Sequence, residues 1–151
     1  MKQKSSFFLL LAVFGFLFST YAQENDKIIF HKSPDPKRQK APFSETVQVG
    51  DLYFLAGQIG MDRSVGKLAE GGIQGETEQA IKNIEGVLKR HGLTLGNVVK
   101  CTVILSDIND FKAFNEVYVK YFTNKPARTT YAAAGLAVGA KIEIDVIAAK
   151  E

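Results

Sequence analysis

The stretch from Pro126 to Ala148 constrains this chain most, because it sets charges inside runs that read as strands. Arg128 lies in Pro126-Ala127-Arg128-Thr129-Thr130-Tyr131, and Glu143 lies in Ile142-Glu143-Ile144-Asp145-Val146-Ile147-Ala148. Both runs are short and rich in apolar or β-branched residues. Gly135 and Gly139 between them offer places for the chain to reverse. A hairpin centred near Gly135-Leu136 would set Arg128 opposite Glu143. A charge on a half-buried strand costs desolvation free energy unless it is paired or used. Two readings stand: a structural salt bridge on a sheet, or an anion-binding arginine with an acid beside it.

Upstream, Thr46-Val47-Gln48-Val49 and Leu52-Tyr53-Phe54-Leu55-Ala56 flank Gly50-Asp51, a two-residue hairpin signal. A polar, glycine-rich loop is expected from there to Gly75. From Glu76 to His91 the pattern is helical, with Ala80, Ile81, Ile84, Val87 and Leu88 on one face and Gly92 as the stop. Val98 to Leu105 reads as a strand. A second helix is expected from about Asp110 to Phe122, with Asn109 or Asp110 as cap. Residues 23 to 40 form a polar tether, with a short strand possible at Ile28-Ile29-Phe30, and the remainder from 41 to 151 is one domain. The sum is a two-layer α+β domain with helices on one face of a mixed sheet. The last strand alternates Ile142, Ile144 and Val146 with Glu143, Asp145 and Ile147. Its second face is therefore mixed, which favours burial in an oligomer.

The first residues are a different matter. Lys2 and Lys4 precede an apolar run from Phe7 to Phe18, and Thr20 and Ala22 are small residues at the positions a signal peptidase reads. A secretory signal peptide is expected over residues 1 to 22, with cleavage before Gln23 and a periplasmic or secreted product. The apolar run is short for a membrane span, which needs about 20 residues. No association with the membrane is expected after cleavage. Loss of Lys2 and Lys4 lowers the net charge of +3 by two. The mature chain is then near neutral, and no electrostatic case for nucleic acid remains.

Few residues offer hard chemistry. Cys101 is the single cysteine and sits in phase with Val99, Val103 and Leu105, so a buried, inert thiol is expected. His31 and His91 are isolated in the sequence, and no metal-ligand spacing is present. Gly57-Gln58-Ile59-Gly60 lacks the lysine and spacing of a phosphate loop and reads better as a hairpin exit approached closely by something else. Arg128, Glu143 and a glycine turn remain, a set suited to a small carboxylate and an activated water.

These residues carry a resemblance. Pro126-Ala127-Arg128-Thr129-Thr130-Tyr131, with Gly139-Ala140-Lys141-Ile142-Glu143-Ile144 after it, resembles the C-terminal signature of the Rid (reactive intermediate deaminase, formerly YjgF) family. Asn97-Val98-Val99-Lys100-Cys101-Thr102-Val103, Asp107-Ile108-Asn109-Asp110-Phe111 and Leu55-Ala56-Gly57-Gln58-Ile59-Gly60 are similar to its other blocks. The resemblance implies a chorismate-mutase-like homotrimer with sites in the clefts between subunits. It implies hydrolysis of 2-imino acids, such as 2-iminopropanoate and 2-iminobutanoate, to 2-keto acids and ammonia, with no metal or organic cofactor. By position, Arg128 would clamp the substrate carboxylate, Glu143 would hold the attacking water and the Thr130 backbone would help place it. Gly57 would admit the substrate to the main chain, and Phe43 would line the pocket. The chain departs from the family at Phe43, where a tyrosine is usual, and at Ala56, where a serine is frequent. Ala132 and Gly135 likewise replace a glutamate and an arginine. Loss of those polar groups keeps open a trimer that binds a small carboxylate without turning it over.

Overall fold

Which alternate residues are buried decides where each strand sits in the computed structural model, which describes residues 27–150. In chain order the elements are β1 (Ile28–His31), β2 (Thr46–Val49), β3 (Leu52–Ile59), β4 (Met61–Asp62), β5 (Lys67–Leu68), α1 (Gly72–Arg90), β6 (Val98–Leu105), α2 (Phe111–Tyr121), β7 (Ala127–Ala132) and β8 (Ile142–Ala149). Six strands form one mixed sheet in the order β1-β2-β3-β8-β6-β7, and β4 pairs with β5 alone. Ile142, Ile144, Val146 and Ala148 of β8 are all buried, which suits a central strand. They share a core with Ile81, Ile84 and Leu88 of α1 and with Phe114 and Tyr118 of α2. Two helices on one face of a mixed sheet is the α+β architecture expected above.

The C-terminal hairpin does not form. β6, α2 and β7 make a parallel crossover unit, with Cys101 beside Arg128 and Leu105 beside Ala132. β8 then runs antiparallel between β3 and β6. The segment after β7 crosses the end of β6, where the Ala133 N–H donates to Leu105 O and the Ser106 N–H donates to Lys141 O. Glu76 of α1, a buried acid, accepts the Lys141 N–H at 2.8 Å and fixes the entry into β8.

Other local expectations change in detail. The first helix begins at Gly72, and the glycine-rich loop before it contains the small β4–β5 hairpin. Asp110 occupies the N-cap position of the second helix as expected, without a side-chain cap hydrogen bond, and Asp107 caps the single 3-10 turn before it by accepting the Asn109 N–H at 2.9 Å. The strand expected at Ile28-Ile29-Phe30 extends to His31 and forms the sheet edge, so part of the segment expected as a tether is structured. The signal peptide expected over residues 1 to 22 lies outside the described residues. Cys101 is buried with Val103 and Leu105 as expected, and burial pushes its thiol pKa up to about 11. Val99, which reads as in phase with them, is exposed, because the strand register shifts between Val98 and Lys100. His31 and His91, distant in sequence, meet edge to face with ring centroids 4.7 Å apart.

Candidate active site

The residues singled out in the sequence fall into two groups. Phe43, Gly57 and Glu143 line one cavity of about 480 Å³. It opens where β3 ends and β8 begins, closed by the segments around Asp35–Phe43 and Arg63–Gly66. A register shift between Leu55 and Gln58 marks a bulge at Ala56-Gly57. The bulge turns Gln58 inward, and its side-chain amide donates to Ala56 O at 2.7 Å. Asn83 of α1 braces the same strand end by donating to Ile59 O and Met61 O.

Glu143 is half-buried on the sheet face away from the helices, as its buried neighbours Ile142 and Ile144 require. Burial, and then the adjacent Asp145 carboxylate, raise the Glu143 pKa. Asp145 is raised by burial in the same way. A carboxyl group tuned upward can hold and release a proton closer to neutral pH than an exposed one.

Arg128 and Thr130 occupy the other group, on the edge strand β7. Two residues apart, they share the helix-side face. The Arg128 guanidinium lies over the Tyr118 ring at 4.5 Å and the Phe114 ring at 5.2 Å, and it donates to Asn115 Oδ1 at 2.8 Å. No carboxylate among the described residues is within ion-pair distance of it. Pro126, Lys125 and Asn115 complete its surroundings in a separate cavity of about 620 Å³. The Thr130 hydroxyl is buried without a hydrogen-bond partner. The structural salt bridge between Arg128 and Glu143 is therefore not formed within the chain. β6 stands between their strands, and the two side chains leave opposite faces of the sheet.

Sequence reasoning missed the polar lining around Glu143. Arg38, Arg63, Gln58 and Asn83 all reach that cavity from different elements. The basic run at Lys37-Arg38-Gln39-Lys40 reads as a solvated loop in isolation. In the fold, Arg38 meets Glu45 at 2.9 Å, and Arg90 of α1 pairs with the same carboxylate. Asn115, the hydrogen-bond partner of Arg128, lies in Phe114-Asn115-Glu116-Val117-Tyr118, a stretch similar to the Rid family's central blocks, but nothing in the sequence assigned it a role at the site. Among the described residues no group of three or more His, Cys, Asp or Glu side chains could hold a metal ion.

The family model described as Endoribonuclease L-PSP matches residues 33–150. A human protein named 2-iminobutanoate/2-iminopropanoate deaminase is 48% identical over 108 residues, covering 71% of this chain and 79% of the human one. A solved structure from Yersinia pestis, described as a protein of unknown function of the conserved Rid protein family, superposes with a TM-score of 0.75 at 31% identity. It covers 82% of this chain and 100% of that one. The structure of RidA from the Antarctic bacterium Psychrobacter sp. PAMC 21119 gives a TM-score of 0.70 at 30% identity, covering 83% of this chain and 98% of that one.

Proposed function

The chain belongs to the endoribonuclease L-PSP family, and from that premise we propose that it hydrolyses reactive 2-imino acids such as 2-iminopropanoate and 2-iminobutanoate. Water adds to the imine carbon, the carbon–nitrogen bond breaks, and nitrogen leaves as ammonia while a 2-keto acid remains. No electrons change hands, and water is the nucleophile, so the reaction asks only for positioning and proton transfer. The human relative is named for this activity.

Glu143 carries the reading. It is a half-buried carboxylate with a raised pKa, in a cavity, lying directly against the backbone of Gly57. It holds the attacking water and exchanges its proton. Arg128 takes the substrate carboxylate in a bidentate pair, with its guanidinium plane preset by Tyr118 and Asn115. The Thr130 backbone lies on an edge strand, whose outward side has no neighbouring strand among the described residues.

Arg128 and Glu143 leave opposite faces of one sheet, so a site using both draws them from different copies of the chain. The open face supplies a reason for copies to meet. Phe30, Val47, Phe54 and Ile147 form one continuous cross-strand row on it. Phe30 is 68% exposed and Phe54 40%. Such a patch favours burial between subunits, and a homotrimer with three inter-subunit sites fits it. The leader read in the sequence supports an exported enzyme, acting in the periplasm or medium.

The test is ammonia and keto-acid release from freshly generated 2-iminopropanoate and 2-iminobutanoate, above the rate in buffer. Acceleration that scales with enzyme concentration is expected. Tight binding of pyruvate without any acceleration would instead mark a trimer that binds small carboxylates without turnover.

A further inference from the structure

The cavity beside Glu143 holds a cation for which the reaction has no use. Arg63 follows β4 and lines that cavity together with Gly57, Phe43 and Glu143. Its guanidinium donates to the side-chain carbonyl of Gln58, a neutral acceptor. No carboxylate among the described residues lies within ion-pair distance of it. The buried acid nearby, Glu45, is committed to Arg38 and Arg90. Lys37 and Arg38 reach the same cavity, against which stand Asp35 and Glu143. Burial, and then repulsion by Arg38, lower the Arg63 pKa. Arg63 is exposed overall, so an incoming anion would gain chiefly by meeting a guanidinium that faces the cavity with only a neutral partner and by offsetting the repulsion of Arg38.

A 2-imino acid with a short alkyl chain offers one anion, and Arg128 takes it. The cavity of about 480 Å³ is far larger than such an alkyl chain fills. We propose that Arg63 receives a second carboxylate at the distal end of the substrate, so that the preferred substrate is a 2-imino dicarboxylate. This rests on the deaminase reading of the same site. The reaction keeps its balance: water adds at the imine carbon, ammonia leaves, and a 2-keto dicarboxylate forms with the distal carboxylate unchanged. The enzyme upstream is then of the class that oxidises an acidic amino acid at its α carbon, or that eliminates water from one carrying a 3-hydroxyl group.

The experiment uses the full chain, with imines generated in place by amino-acid oxidases from aspartate and from alanine. Wild type should show kcat/KM for the imino dicarboxylate at least about tenfold above that for 2-iminopropanoate, the scale of one charge-assisted contact. Arg63→Met and Arg63→Gln should each lower that ratio by about tenfold, and Arg63→Lys should fall between. If Arg63 only braced Gln58, both substrates would slow together and the ratio would stand. A wild type without preference, or a ratio that survives in Arg63→Met and Arg63→Gln, overturns the proposal. Hydrolysis of neither imine above the buffer rate overturns the deaminase reading and this proposal with it. Hydrolysis of 2-iminopropanoate with an unmoved ratio overturns this proposal alone.

Discussion

The Glu143 side chain fills the space in front of Gly57 where another residue would carry its own side chain. An ideal Cβ at Gly57 would stand 2.8 Å from Cδ and 2.9 Å from Cγ of Glu143. The glycine is thus set by the acid, not by a turn: it is absent from the positive-φ residues, and its φ is one any residue adopts. What an alanine would meet is the far end of a flexible side chain, so the backbone can stay. Gly57→Ala is expected to keep the fold and displace the carboxylate. A shift of about 1 Å can cost about a hundredfold in rate. The measurement is kcat/KM on 2-iminopropanoate beside a thermal melt, and a folded, fully active Gly57→Ala would show that the Glu143 position does not matter.

Glu143 should trade stability against catalysis. Its pKa in the fold is raised, so the folded state binds more protons than the unfolded one above the ordinary carboxylate range. The carboxylate therefore costs nothing below that range, and the fold loses stability as pH rises through it. Glu143→Gln should raise Tm at pH 7, lose that gain at about pH 4 near the unperturbed carboxylate pKa, and remove turnover. Thermal melts across pH decide it. A lower Tm at pH 7 with an equal loss at low pH would contradict the burial cost.

Arg128→Ala should lower kcat/KM by at least about a hundredfold, which is about 2.7 kcal/mol of transition-state stabilisation. Arg128→Lys should recover little, since a point charge does not reproduce the planar fork. Loss of stacking on Tyr118 and Phe114 should also cost about 0.5–2 kcal/mol of stability. Turnover at the wild-type rate in a folded Arg128→Ala protein would confine the residue to bracing that aromatic cluster.

The apolar row on the open face should be the seam of the trimer. Light scattering of the wild type is expected to give about three times the chain mass. Phe54→Lys places a charge in the middle of the row and should yield monomers with little activity, because Arg128 and Glu143 then no longer share a site. A fully active Phe54→Lys monomer would remove the inter-subunit site.

Protein recovered from its native envelope or medium should begin at Gln23. N-terminal sequencing or intact mass reads this directly, and retention of Met1 or Lys2 on the exported protein would be the contrary result.

Much of the local structure was legible before any fold was known. Periodicity encodes which side of an element is buried, and that information is carried by residues near one another in the chain. It marked the helical faces of Ile81, Ile84 and Leu88, the inward phase of Cys101, and the alternation of Ile142, Ile144 and Val146. It also drew Arg128 and Glu143 out of the sequence, because each is a charge in a run otherwise suited to burial.

What the sequence by itself determined, then, was both helices and the strands of the main sheet, the buried side of most of them, and the residues worth suspecting; the β4–β5 hairpin lay in a segment that reads as loop. Strand order was decided only in three dimensions. The crossover from β6 through α2 lays β7 parallel beside β6 and leaves β8, apolar on every second residue, to enter the middle of the sheet. That order, not the glycines between the runs, separates Arg128 from Glu143 and sends them to opposite faces. It also gathers Arg38, Gln58, Arg63 and Asn83 around Glu143 from positions far apart in the chain. No local pattern could announce such a cluster, since each of its members is an ordinary polar residue until long-range packing supplies its neighbours.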